Sequence, residues 1–210
     1  MKRDPLENAR RLYQVASAQG GYFTAGQALE AGYAYSQQHF HVGRGNWLQI
    51  DCGLYRLHDH PPGEREDLIH WSLWSRNQQG TPQAVVSHDT ALTVHELSDV
   101  MPSQVHLTVP PGFRKKIPPG CVLHRANLAA GDVELRDGYQ VTTPLRTLLD
   151  VALSPLSQEH LNAAVSDALE RGLVRRRQLE NVPCSVQARR RLDQALSAAP
   201  WRNQSNDRPV

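Results

Sequence analysis

The chain has 210 residues, 40% of them hydrophobic, and 23 Lys and Arg against 21 Asp and Glu give a formal net charge of +2; this is the make-up of a globular protein with a core, in one large domain or two small ones, and not of a disordered chain. Three cysteines, Cys52, Cys121 and Cys184, are odd in number and widely spaced, without a Cys-x-x-Cys pair, which argues against a disulfide framework or a thiolate metal site. The start lacks the apolar stretch of a secretory signal and no 18 apolar residues run together, so the expected location is the cytoplasm, with no membrane.

A first helix is expected after Asp4, a cap, with Pro5 at the first helical position and Leu6, Ala9, Leu12, Tyr13 and Ala16 at helical spacing, stopped by Gly20 and Gly21. Thr24 and Gln27 have the spacing of a capping box, with Phe23 placed to staple onto Ala28, and that short helix ends at Gly32. A third helix is expected over 35–44. Its register is ambiguous, because neither Gln38 nor His41 is a comfortable core residue. Two β-prone runs, 47–50 and 54–57, flank Asp51, Cys52 and Gly53 and read as a hairpin. Three helices and a hairpin in this order are the plan of a winged helix-turn-helix.

The polar, proline-rich 58–63 reads as a domain boundary with few contacts across it. Beyond it, Leu68, Trp71 and Trp74 mark a helix, 83–86 a strand, and Ser87 a cap for a helix to about residue 97. Val105, Leu107 and Val109 alternate as a half-buried strand, and the basic 110–120 holds too much proline for regular structure. Strands at 121–125, 133–136 and 139–141 follow, the last two joined by Asp137 and Gly138. Helices are expected from Thr143 and Pro144, then over 157–171, 175–181 and 185–198. The expected class is α+β: a winged helix at 1–58, a mixed α/β domain at 62–198 and a disordered tail at 199–210.

Charge is unevenly spread. Residues 1–58 carry +2, residues 59–170 carry −6 and residues 171–210 carry +6. Positive ends around an acidic middle suit one nucleic-acid face, and equally ordinary surface variation.

The stretches GGYFTAGQALEAGY at 20–33 and GLYRL at 53–57 resemble the winged-helix region of AbiEi-like antitoxins. So do VSHDTAL at 86–92, VHLTVP at 105–110 and VTTPLRTLLD at 141–150, and the likeness covers residues 8–152 in order. The resemblance implies an antitoxin of a type IV toxin–antitoxin, or abortive-infection, system that is not an enzyme and needs no cofactor or metal. It implies repression of its own operon through operator DNA with inverted repeats, as a monomer or a weak dimer on DNA. It also implies a C-terminal domain that counteracts a nucleotidyltransferase-like toxin, without a stable complex. One departure is that Gly43, Gln49, Asp51 and Cys52 stand where cations would serve DNA, which leaves Arg44 and Arg56. Weaker, less salt-sensitive binding per protomer follows, unless paired sites or the basic C-terminus compensate.

The DNA-binding candidates are Thr24, Gln27, Ser36, Gln37, His39, Arg44 and Arg56, with Ser36, Gln37 and His39 able to read base edges. The alternative is a three-helix unit that docks protein. In the second domain Arg114, Lys115 and Lys116 lie on the proline loop, as a partner contact or a solvated turn. Arg146 stands four residues before Asp150, the spacing of a helical ion pair, and is also a candidate antitoxin residue. Arg189, Arg190 and Arg191 are a second nucleic-acid face or a solvated one.

Ten histidines show no zincin-like spacing, and His88 after Ser87 reads as a hydrogen-bonding residue at a helix start. Asp132 and Glu134 suggest the rival function, a metal-dependent nuclease targeted by the winged helix, but no Lys follows at the needed spacing. Ser87, His88 and Asp89, being consecutive, cannot form a catalytic relay, and no phosphate-binding loop motif occurs.

Overall fold

The structure, a computed structural model, describes residues 4–97, 99 and 101–199, so of the tail expected at 199–210 only Ala199 lies among the described residues. Helix α1 (Pro5–Ser17) opens as its caps dictate, with the Asp4 carboxylate accepting from the Leu6 amide at 3.0 Å, and it buries Leu12 and Ala16. Helix α2 (Ala25–Glu30) starts on the capping box: the Gln27 amide donates to Thr24 Oγ1 at 3.2 Å and the Thr24 amide to Gln27 Oε1 at 2.8 Å. Strand β1 (Tyr22–Thr24) lies between these helices, where no strand is expected. It pairs antiparallel with β3 (Leu54–Leu57), which also pairs with β2 (Trp47–Asp51). Phe23 is thereby fully buried opposite Tyr55, a core residue and more than a staple.

Helix α3 (Tyr35–Gly43) settles the ambiguous register by turning Gln38 inward. At 1% exposure, the Gln38 amide donates to the carbonyls of Ala25 at 3.2 Å and Tyr33 at 3.0 Å. A glutamine is tolerated in the core because these bonds replace the water it loses. Rings supply the rest: Trp47 meets Phe23, Tyr33 and Tyr55 at centroid distances of 4.8, 5.0 and 5.9 Å, and His41 stacks on it at 4.7 Å. Large aromatic side chains bury enough area to hold a unit of this size together.

The rest of the chain is mixed, in line with the α+β class expected. A five-stranded sheet has the order β6-β5-β4-β8-β7, from β4 (Val85–Val86), β5 (Val105–Val109), β6 (Cys121–Arg125), β7 (Val133–Arg136) and β8 (Tyr139–Thr142). Pairs β4–β8 and β5–β6 are parallel, while β4–β5 and β7–β8 are antiparallel. Leu68, Ile69 and Leu73 of α4 (Glu66–Trp74) pack on Val86, Leu107, Val109 and Val141. A second core joins α5 (His88–Val94), α6 (Pro144–Ala152), α7 (Gln158–Glu170), α8 (Arg176–Asn181) and α9 (Val186–Ala198), around Leu148, Leu161, Leu179 and Leu192. Two local expectations are corrected. Strand β4 has two residues, not four, and α5 stops at Val94, with Ser87 making no capping bond.

The N-terminal unit is tied to α4. Tyr22 and Leu54 share a core with Leu68 and Ile69. The Glu66 carboxylate accepts from Arg56 at 2.8 Å, the Tyr22 hydroxyl at 3.3 Å and the Gly63 amide at 2.8 Å. Gly138, at φ +85°, marks a further contact: a Cβ there would stand 3.1 Å from Ile69 and 3.2 Å from Gln19 Cα. Only glycine fits both that conformation and that approach. Bonds therefore flank 58–63 on both sides.

Candidate nucleic-acid interface and a polar cluster beside it

With Gln38 and Val42 turned inward, helical geometry puts Ser36, Phe40 and Gly43 along the outer ridge of α3, flanked by His39 and Arg44. All five are exposed, and α3 carries no Asp or Glu. Gln37 is exposed too, but its Oε1 accepts the Ala34 amide at 2.9 Å and so caps its own helix. Thr24 is buried in the α2 cap, and Gln27 is held there and by Gln19. Their capping spacing is legible in the sequence, but the cap occupies the groups that a base would need.

Arg56 is the main correction to the expected DNA-binding set. It is 9% exposed, donating to Glu66 at 2.8 Å and to the His60 carbonyl at 3.0 Å. Its place on β3, opposite Tyr22, turns the side chain toward α4 and away from solvent. The β2–β3 turn is also held, since Arg76 donates to the carbonyls of Cys52 at 3.4 Å and Gly53 at 3.2 Å.

Several described C-terminal cations serve backbone carbonyls, whereas Arg175, Arg177 and Arg190 are exposed. Arg191 donates to the carbonyls of Ala152 at 3.3 Å, Ser154 at 2.8 Å and Leu156. Arg189 donates to Leu179 and Val182 oxygens, each at 2.6 Å, and Arg171 to those of His95 and Glu96, each at 2.9 Å. These guanidiniums close helix C-termini, where carbonyls lack partners and the helix dipole is negative. The Arg189–Arg191 run read as a possible second nucleic-acid face leaves only Arg190 exposed. On the proline loop, Lys115 donates to the Trp74 carbonyl and lies 5.9 Å from that ring's centroid, while Arg114 and Lys116 are exposed.

At the carboxyl ends of β4 and β8 three distant motifs converge. The β5–β6 register sets Thr108 beside His124 and leaves His106 on the same face. His88, in the left-handed region at φ +51°, stacks its ring on His124 with centroids 3.4 Å apart and planes 12° apart. A non-glycine residue held there costs about 1–3 kcal/mol. His124 Nε2 and His106 Nδ1 are 3.3 Å apart, so one donates and the other accepts. Ser87 Oγ accepts from Thr108 Oγ1 at 2.8 Å and bonds His88 Nδ1 at 3.0 Å. Burial holds all three imidazoles below their ordinary pKa. His88 goes furthest, to about 3, with its neighbouring histidines and Arg146 adding to the effect.

Arg146 binds Asp150 at 2.9 Å, the helical pair its spacing suggests, and Asp132 at 3.2 Å. Burial raises the Asp150 carboxyl pKa against the opposing pull of Arg146. Glu134, the other acid of the nuclease reading, pairs with Arg136 at 3.0 Å. Among the described residues, no group of three or more His, Cys, Asp or Glu is arranged to hold a metal ion. Spacing in the chain could not reveal the histidine trio, which exists only through the pairing of β5 with β6. No helix among the described residues is long and apolar enough to cross a membrane.

The class so defined is an α+β protein whose exposed N-terminal helix could meet a partner and whose C-terminal part holds a buried polar network. The family model of the AbiEi antitoxin C-terminal domain matches residues 84–199, more than half of the chain, and the chain belongs to that family. It has an antitoxin role in a toxin–antitoxin system, and the family is not a class of enzymes. The crystal structure of the RV2827C protein from Mycobacterium tuberculosis is similar in fold, with a TM-score of 0.54 and 18% identity over 94% of this chain and 78% of that one. No curated protein matches the chain.

Proposed function

We propose that this antitoxin also represses its own operon, residues 1–58 acting as a winged helix that binds operator DNA with inverted repeats. The C-terminal part, 62–198, counteracts a nucleotidyltransferase-like toxin without a stable complex, and the protein works as a monomer or a weak dimer on DNA. The observation that carries this reading is the outer face of α3. It presents Ser36, His39 and Arg44 to solvent, free of acidic neighbours on the helix, in the order helix, strand, helix, helix, hairpin. Exposed Arg114 and Lys116 are open to an acidic partner, whereas Arg146 acts through the cluster it orders.

Replacing Ser36, His39 and Arg44 by Ala together is expected to weaken binding to the DNA upstream of the gene by at least about 100-fold, since base contacts are worth roughly 1–3 kcal/mol each. An electrophoretic mobility shift measures it. An unchanged shift would move the DNA face elsewhere on the molecule.

A further inference from the structure

We infer that α3 reads A·T-rich sequence by laying Phe40 against thymine methyl groups in the major groove. This rests on the DNA-binding reading above and adds the class of sequence. The residue at the centre of the exposed face is an aromatic ring: Phe40 is 56% exposed, on the side of α3 opposite Gln38, which is 1% exposed. Ser36 stands one turn before it and Gly43 one turn after. A Cβ at Gly43 would meet nothing within 4 Å, so the surface beside the ring is open.

An exposed apolar patch on a helix fits a protein as well as a nucleic acid, and charge decides between them here. Neither α3 nor its cap residue Arg44 contributes an acid, and the Arg44 guanidinium sits 5.3 Å from the Phe40 centroid. That places a cation at the rim of the apolar contact, where a phosphate would lie, and stacking on the ring holds it there. The commonest guanine contact, an Arg or Lys reaching O6 and N7 together, is missing from α3 before its cap. Thymine alone offers an apolar group in the major groove, its C5 methyl, which an aromatic or aliphatic side chain covers without a hydrogen bond. With Arg56 turned inward, few cations remain for phosphates, so more of the affinity must come from such contacts.

The test uses the full chain and a randomised duplex library, from which bound sequences are enriched and remade with deoxyuridine for thymidine, removing only the methyl groups. The inference expects A·T-rich selected sequences and at least about fivefold weaker binding of the uracil duplex. Phe40→Ala should bind the thymine and uracil duplexes equally, and Phe40→Leu should restore part of the preference. 7-Deazaguanine in place of guanine should change nothing, because no guanine N7 is read. Equal binding of thymine and uracil duplexes by the unaltered chain would overturn the inference and leave DNA binding standing. No enrichment from the library would overturn the DNA-binding reading itself. A Phe40→Ala chain whose oligomeric state changes while its DNA binding does not would assign the patch to protein contact and also overturn the inference.

Discussion

Arg191→Ala is expected to lower the stability of the chain by about 2–3 kcal/mol, roughly 4–12 °C in melting temperature for a chain of this size. The side chain joins three helices. Its guanidinium donates to the carbonyls of Ala152 at the end of α6 and of Ser154 and Leu156 beyond it, and its Nε donates to Gln158 Oε1 on α7 at 3.1 Å. Gln158 returns a bond to the Arg191 carbonyl at 3.0 Å. Removing the cation strands carbonyls in a half-buried seam, and an unpaired buried acceptor costs more than a hydrogen bond gains. Lysine has a single ammonium without the planar fork, so Arg191→Lys should recover less than half of the loss. Exposed Arg190 supplies the control, with Arg190→Ala expected within about 0.5 kcal/mol of the unaltered protein. Urea unfolding of the three variants measures this, and equal losses at positions 190 and 191 would refute the role given to Arg191.

Acid should unfold the protein, and His88 should account for a large part of the effect. In the folded chain its pKa is pushed down to about 3, whereas in the unfolded chain it returns to near 6.5. Below about pH 6.5 the unfolded chain therefore takes up a proton that the folded chain refuses. Stability is full above that pH and falls as pH drops toward the folded value. For His88 alone the loss reaches about 3 kcal/mol by pH 4. Burial lowers His106 and His124 too, and a second proton on their shared bond would leave two donors facing each other. Asparagine tolerates the left-handed backbone but takes up no proton. His88→Asn should thus be less stable near pH 7, for want of the ring stack, yet lose about 3 kcal/mol less between pH 7 and pH 4. Parallel pH dependences for the two proteins would show that the trio does not govern acid sensitivity.

The sequence speaks most clearly where the relevant partner lies within a few residues. The Thr24–Gln27 box, the Asp4 cap and the Arg146–Asp150 pair are set by spacing along one helix, and all three stand in the structure. Family-like stretches carry the antitoxin domain in the same way, since they hold their order along the chain. What escapes the sequence depends on distant partners. Arg56 reads as a hairpin cation until β1 and α4 close over it. The C-terminal arginines read as a basic face because nothing in their spacing says which helix ends will lie beside them. Gln38 reads as a poor core residue because the carbonyls it serves belong to Tyr33 and Ala25, outside its helix. His88, His106 and His124 lie in three separate segments, and only strand register brings them together.

Growth rescue by the full chain tests the central claim most directly, with the neighbouring toxin gene under a promoter that lacks the operator. Arg44→Glu would put a negative charge on the exposed face of α3 without touching the C-terminal core, and so should abolish operator binding. Protection from the toxin should be unchanged in the same variant, because the antitoxin domain matches residues 84–199. Cells that die with the variant and survive with the unaltered chain would contradict the account, by making protection depend on the N-terminal helix.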